Sequence, residues 1–80
     1  MTVNVQVRLN AVLRRYAPAD GEANFTIELP GPSTVEDLIR HLDIPTQEVG
    51  LAAVNLKYAE KSQVLGDGDE VILFPQLTGG

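Results

Sequence analysis

One stretch of this sequence carries a helical apolar stripe of useful length. Val35, Leu38, Ile39 and Leu42 recur at i, i+3, i+4 and i+7. The other apolar segments alternate with polar residues or run continuously, and those are strand patterns. A single amphipathic helix covers one face of a sheet and leaves the other face without a helical partner. The expected class is therefore α+β, a mixed sheet of four to five strands with one main helix on one face.

Taken in order, Val3, Val5, Val7 and Leu9 alternate with Asn4, Gln6, Arg8 and Asn10, which gives a strand with one buried and one polar face. Leu13 and Tyr16 lie three apart in a short helical turn over 11–17, with Arg14 and Arg15 facing water. Pro18 through Asn24 is turn-rich around Asp20-Gly21. Phe25, Ile27 and Leu29 alternate with Thr26 and Glu28, and this second strand is close enough to pair antiparallel with the first. Pro30-Gly31-Pro32 ends it. Ser33 followed by Glu36 matches a capping box for the helix. Glu36 and Asp37 at its start, and Arg40 and His41 at its end, suit the helix dipole. The helix should stop before Pro45.

His41 lies off the apolar stripe and reads as a solvated cation at the helix end. Thr46 is expected to cap one turn through Val49, and Gly50 to break the chain direction. Leu51 to Leu56 reads as a strand, and Lys57 to Lys61 as a hairpin arm or an irregular edge. Tyr16 and Tyr58 read as packing residues with hydrated hydroxyls. Val64 and Leu65 add apolar contact. Gly66-Asp67-Gly68-Asp69 is a turn; a calcium loop would need further ligands and a terminal bidentate Glu at their proper spacing.

Val71-Ile72-Leu73-Phe74 is apolar at every position, as a central strand is. One helix cannot cover both Val71/Leu73 and Ile72/Phe74. The first strand places Asn4, Gln6 and Arg8 on its second face, so that face is not a second core. Apolar side chains left there point to a partner surface, unless the tail or a loop folds over them.

Composition removes most chemistry. Eighty residues make one small domain, with a stability margin of roughly 3–5 kcal/mol from its core. There is no cysteine, hence no disulfide, thiolate metal site or thiol nucleophile, and a single histidine. The net charge is −5 and the six Lys and Arg are dispersed, which argues against nucleic-acid binding. After Ser62 there is no basic residue, so the last third favours a basic partner surface. No apolar run approaches the roughly 20 residues of a membrane span. With no signal-peptide pattern either, a cytoplasmic protein without membrane association is expected. No nucleophile elbow, phosphate loop or catalytic carboxylate pair is present, so the chain is not expected to be an enzyme by itself, or to bind a cofactor or metal.

What remains is the end, Phe74-Pro75-Gln76-Leu77-Thr78-Gly79-Gly80. The expected division is a domain over 1–75 and a flexible tail over 76–80. A terminal carboxylate is ionised at neutral pH, with a pKa of about 3.3–3.7, and becomes a good electrophile once adenylated. Gly79 and Gly80 lack Cβ atoms and suit a narrow channel. Gln76 to Gly80, extended, reaches about 16–18 Å. Ordering such a tail opposes binding. Affinity is therefore expected from Phe74, helped by Ile72, Pro75, Leu77 and Thr78 at a partner interface, while Gly80 reacts. The residues alone leave open an end presented to a partner for chemistry at its carboxylate, conjugation through Gly80 included, and an interaction domain whose Gly-Gly end is incidental.

The run Asp67-Gly68-Asp69-Glu70-Val71, then Phe74-Pro75, then Gly79-Gly80 resembles the small subunit of molybdopterin synthase and related sulfur-carrier proteins of the MoaD/ThiS type. Val54-Asn55 before the polar hairpin fits the same pattern, and the likeness extends over the whole chain. It implies a β-grasp, ubiquitin-like fold. It further implies an E1-like adenylating enzyme of the MoeB/ThiF type, which uses ATP to adenylate the last glycine before sulfur replaces the adenylate. The resulting thiocarboxylate on Gly80 would enter the large subunit of molybdopterin synthase, or another sulfur acceptor. The family usually reads Phe-Pro-Pro-Val where this chain reads Phe74-Pro75-Gln76-Leu77. Exchange of Pro for Gln is expected to free the tail and adds a backbone donor. Thiamin-thiazole and tungsten-cofactor pathways are the other destinations that the resemblance allows.

Overall fold

A computed structural model describes residues 1–17 and 24–76. The turn expected around Asp20-Gly21 and the residues Leu77, Thr78, Gly79 and Gly80 lie outside the described residues.

The alternation at the start of the chain becomes β1, Thr2–Leu9, with Val5, Val7 and Leu9 buried and Asn4, Gln6 and Arg8 exposed. A 3-10 turn, Ala11–Tyr16, follows and buries Leu13. Strand β2, Asn24–Pro30, runs antiparallel to β1 in a register from Thr2 opposite Pro30 to Arg8 opposite Asn24. Two short strands, β3 at Ser33–Thr34 and β6 at Val64–Leu65, form a separate two-stranded ladder. Between them in sequence come the helix α1 (Val35–His41), a second 3-10 turn (Thr46–Glu48), β4 (Val49–Val54) and β5 (Lys57–Ala59). The last strand is β7, Glu70–Pro75.

The main sheet has five strands in the order β2-β1-β7-β4-β5. Strand β7 lies at its centre, parallel to β1 and antiparallel to β4. That placement agrees with its uninterrupted apolar sequence. Val35, Leu38 and Ile39 of α1 pack with Val5, Val7, Leu9, Val71 and Leu73 in one core, closed by Leu13, Leu29, Ile44 and Leu65. Burying each such side chain contributes about 1.5–3 kcal/mol. A mixed sheet with one helix across one face is the β-grasp arrangement expected from the sequence.

Local expectations are corrected in several places. The strand expected over Leu51 to Leu56 runs Val49–Val54, and Asn55 and Leu56 turn the chain after it. The helix is capped by Thr34, not Ser33: Asp37 N–H donates to Thr34 Oγ1 at 3.2 Å and Thr34 N–H donates to Asp37 Oδ2 at 2.9 Å. Ser33 is instead buried, and its hydroxyl donates to the Pro30 carbonyl. The next turn has Pro45 as its cap, with Thr46 already inside it and no side-chain cap bond. Gly50 does not break the chain but sits within β4, at a bulge between Val49 and Leu51.

Candidate functional site

The sheet face away from α1 is divided by the register. On β1 it shows Asn4, Gln6 and Arg8, and Arg8 Nε donates to Asn24 Oδ1 of β2 at 2.9 Å. On β7, β4 and β5 it is apolar. Leu51 stands opposite Phe74, and Ala53 stands opposite both Ile72 and Tyr58. Leu51 is 55 % exposed, Tyr58 79 % and Leu56 82 %, whereas Ile72 and Phe74 are half-buried between them. Leu51, Tyr58, Phe74 and Pro75 wall an open groove of about 510 Å³ that ends at Gly50 and Gln76.

The sequence left open whether Val71/Leu73 or Ile72/Phe74 turns away from the helix; Val71 and Leu73 are in the core, Ile72 and Phe74 are on this side, and the larger exposed residues beside them were missed. Tyr58 is the clearest correction. It was read as a packing residue, yet it stands on the edge strand with its ring open to solvent. Its role could have been found only from register, because Ala53 beneath it is too small to cover it. Leu56 is brought to the rim by a tight hairpin. Asn55 and Leu56 both have positive φ, at 53° and 68°, as the two central residues of a type I′ turn do.

Asn55 also ties this hairpin to the start of β7. Its N–H donates to the Glu70 carbonyl at 2.8 Å, and its Oδ1 accepts from Glu70 N–H at 3.0 Å. Its Nδ2 donates to Asp69 Oδ1 at 3.0 Å. The acidic turn is built the same way. Asp67 Oδ1 accepts from Asn4 N–H at 2.8 Å, and Asp69 Oδ2 accepts from Gly66 N–H at 2.7 Å. Gly68 has φ +87°, a conformation that side chains disfavour. These carboxylates shape a turn, as read from the sequence. Among the described residues no cluster of three or more His, Cys, Asp or Glu is arranged to hold a metal ion.

At the far end of the groove, β7 gives way to Gln76. Pro75 is the last residue in register, opposite Val49, and is half-buried. Gln76 N–H donates to the Glu48 carbonyl at 2.8 Å. The donor expected to come with a less restrained tail is thus used to hold the backbone. Glu48 is fixed in turn. Its carboxylate accepts from the Tyr16 hydroxyl at 3.0 Å and from Arg15 Nη2 at 2.9 Å. The Tyr16 hydroxyl, expected to be hydrated, is bound by Glu48. It and Glu48 hold the Arg15 guanidinium above its ordinary value, and its charge is secure in any case. Arg15 is exposed, as expected, but paired rather than merely solvated. His41 is exposed at the end of α1. No helix among the described residues is long and apolar enough to cross a membrane.

A known family accounts for this combination of central strand, apolar face and Gly-Gly sequence. The sequence model of the ThiS family matches residues 7–80. A search of curated protein sequences found no match. Among solved structures, the Pyrococcus furiosus protein assigned as molybdopterin converting factor, subunit 1, is 31 % identical, with 94 % of this chain and 99 % of that one covered and a TM-score of 0.73. The HVO 2177 protein of Haloferax volcanii superposes with a TM-score of 0.79 over 99 % of this chain and 88 % of its own, at 21 % identity. Small archaeal modifier protein 1 of the same organism has a TM-score of 0.69, 24 % identity, and coverage of 96 % and 99 %. The last two likenesses bear on the fold alone. The family match over nearly the whole length and the Pyrococcus relative together show that the chain belongs to the ThiS family of ubiquitin-like sulfur-carrier proteins.

Proposed function

We propose that this chain carries sulfur into molybdopterin-type cofactor synthesis, as a thiocarboxylate on Gly80. The observation that carries the reading is the 31 % identity with the Pyrococcus molybdopterin converting factor subunit across 94 % of the chain. It is supported by a Gly-Gly sequence that follows the central strand, whose last described residue, Gln76, borders an exposed apolar groove. In this reading a carboxylate oxygen of Gly80 attacks the α-phosphorus of ATP on an adenylating enzyme and releases pyrophosphate. Hydrosulfide, delivered by a donor, then attacks the acyl carbon and expels AMP. The thiocarboxylate passes to the active site of a synthase large subunit, and sulfur leaves for the pterin precursor.

The chain's own residues bind and present rather than catalyse. Phe74 and Pro75, with Leu77 and Thr78, meet the partner, and Gly79 keeps the approach narrow. ATP belongs to the activating enzyme. The reading is tested by incubating the protein with an adenylating enzyme, ATP and a sulfide donor, then measuring the intact mass. The expected product has one oxygen replaced by sulfur, localised to Gly80 by fragmentation, and restores synthase turnover with a molybdopterin precursor. Sulfur loading followed by delivery only to a thiazole synthase would redirect the pathway. Reductant-resistant adducts on lysines, without sulfur loading, would make the protein a modifier instead.

A further inference from the structure

Two 3-10 turns that are far apart in sequence converge on the hydrogen bond that holds Gln76 just beyond β7. Glu48 accepts Gln76 N–H with its carbonyl and is itself held through its carboxylate by Tyr16 and Arg15. Two residues on, Gly50 lets the outgoing backbone pass at close range. A Cβ placed on Gly50 would stand 2.9 Å from Gln76 Cα and 3.0 Å from the Pro75 carbonyl oxygen, both backbone atoms that cannot simply rotate away. Gly50 lies at the bulge between Val49 and Leu51. An ordinary strand end needs neither the buttress behind Glu48 nor the missing side chain at Gly50.

We propose that Arg15, Tyr16, Glu48 and Gly50 form a positioning clamp that fixes where the chain leaves the sheet, at Pro75 and Gln76. The inference rests on the carrier reading above and adds residues to it that touch neither the reacting atoms nor the docking groove's centre. From Leu77 to Gly80 there are four residues, which span at most about 13–14 Å. A reach that short makes the point of departure matter. If the clamp opens, Gln76 joins the length that must be ordered in the partner's channel. Each residue so added lowers the productive fraction by about 5- to 30-fold. The groove walls Leu51, Tyr58 and Phe74 stay in place, so most of the loss falls on turnover.

The test uses Gly50→Ala and Tyr16→Phe. Tyr16→Phe keeps the ring that packs against the core and removes only the hydroxyl, so it still reports if Gly50→Ala fails to fold. Two quantities are measured in each: protection of the Gln76 amide from hydrogen exchange, and the kinetics of sulfur transfer to the synthase with the loaded carrier as varied substrate. The clamp predicts a protected Gln76 amide in the parent protein and lost protection in the variants. It also predicts kcat lowered by about 5- to 30-fold in Gly50→Ala with KM little changed. Normal loading of the parent protein, with variants that transfer as fast as it does or keep Gln76 protected, would overturn the clamp and leave the carrier reading intact. Failure of the parent protein to accept sulfur at all would overturn the carrier reading, and with it the clamp's role in delivery.

Discussion

If the apolar face is where partners dock, its most exposed side chains should matter more for binding than for folding, and the structure sets the sizes. An aromatic side chain buries about 150–250 Å² when covered. Tyr58 is 79 % exposed, so most of that area is still open in the free protein. At about 25 cal/mol/Å² the ceiling for covering it is roughly 3–5 kcal/mol. Immobilisation and desolvation of the hydroxyl reduce this, and a truncation cost of about 2 kcal/mol is expected, near 30-fold in Kd. Leu51, 55 % exposed, has about half its burial still to gain. With 1.5–3 kcal/mol for a full leucine, Leu51→Ala should weaken docking by about 1 kcal/mol, or five- to tenfold. Neither change should cost the free domain more than about 1 kcal/mol. Leu73→Ala is the converse, since Leu73 is fully buried: a loss of about 2–5 kcal/mol in stability is expected. Titration calorimetry against the activating enzyme and the synthase large subunit, with urea denaturation of each variant alone, separates the two classes. A Tyr58→Ala, Leu51→Ala double variant that is folded and binds both partners with unchanged Kd would refute this use of the groove.

Further outcomes follow from the local structure. Asn55→Gly should destabilise by about 1 kcal/mol through lost side-chain bonds, and Asn55→Ala by about 1 kcal/mol more because Ala disfavours the left-handed region; equal urea midpoints for the two would disprove the backbone contribution. Thr34→Ala should cost about 0.5–2 kcal/mol as a lost helix cap, whereas Ser33→Ala should leave the helix cap intact, which the far-ultraviolet melting curves of the two would compare. The Thr34 backbone N–H, and then its hydroxyl, hold the Asp37 carboxyl below its ordinary 3.8. A carboxylate with a depressed folded pKa contributes stability that is present above the ordinary value and lost as pH falls through the folded one. Stability should therefore decline below about pH 4 more steeply in the parent protein than in Asp37→Asn, as chemical denaturation at a series of pH values would read.

Much of the architecture was legible because it is written in local periodicity. The alternation of Val3 to Leu9 and the stripe from Val35 to Leu42 each specify an element and the face it buries, whereas the unbroken run Val71 to Phe74 specifies a central strand and leaves open which of its faces meets the helix. Ser33 and Thr34 could not be ranked as caps from sequence. Both are hydroxyl residues, and Ser33-Glu36 fits the motif as well as Thr34-Asp37. The choice was made by burial of Ser33 beside Pro30. Gly50 read as a break because a glycine in a strand carries no sign of what passes over it; only the return of Pro75 and Gln76 from the far end of the chain gives it a function. Tyr58 was misassigned for the same reason. Its surroundings come from β4 and β7, and register between distant strands is not a local property. The β3–β6 ladder has two residues per strand, too few to leave a period.

The central position of β7 has a consequence for how copies of the protein come into being. While the chain emerges from a ribosome, β1 can pair with β2 and β4 with β5, but the slot between β1 and β4 stays vacant until the final strand is made. The domain's long-range contacts, and with them most of its cooperativity, wait for that strand. A copy that stops after β5 but before Glu70 is left with the β1–β2 and β4–β5 ladders unjoined and Val7, Leu9 and Ala52 without their β7 partners, a form open to proteolysis. Folding is thus tied to translation through β7: the β1–β2 and β4–β5 ladders become one sheet only once Glu70 to Pro75 have been made.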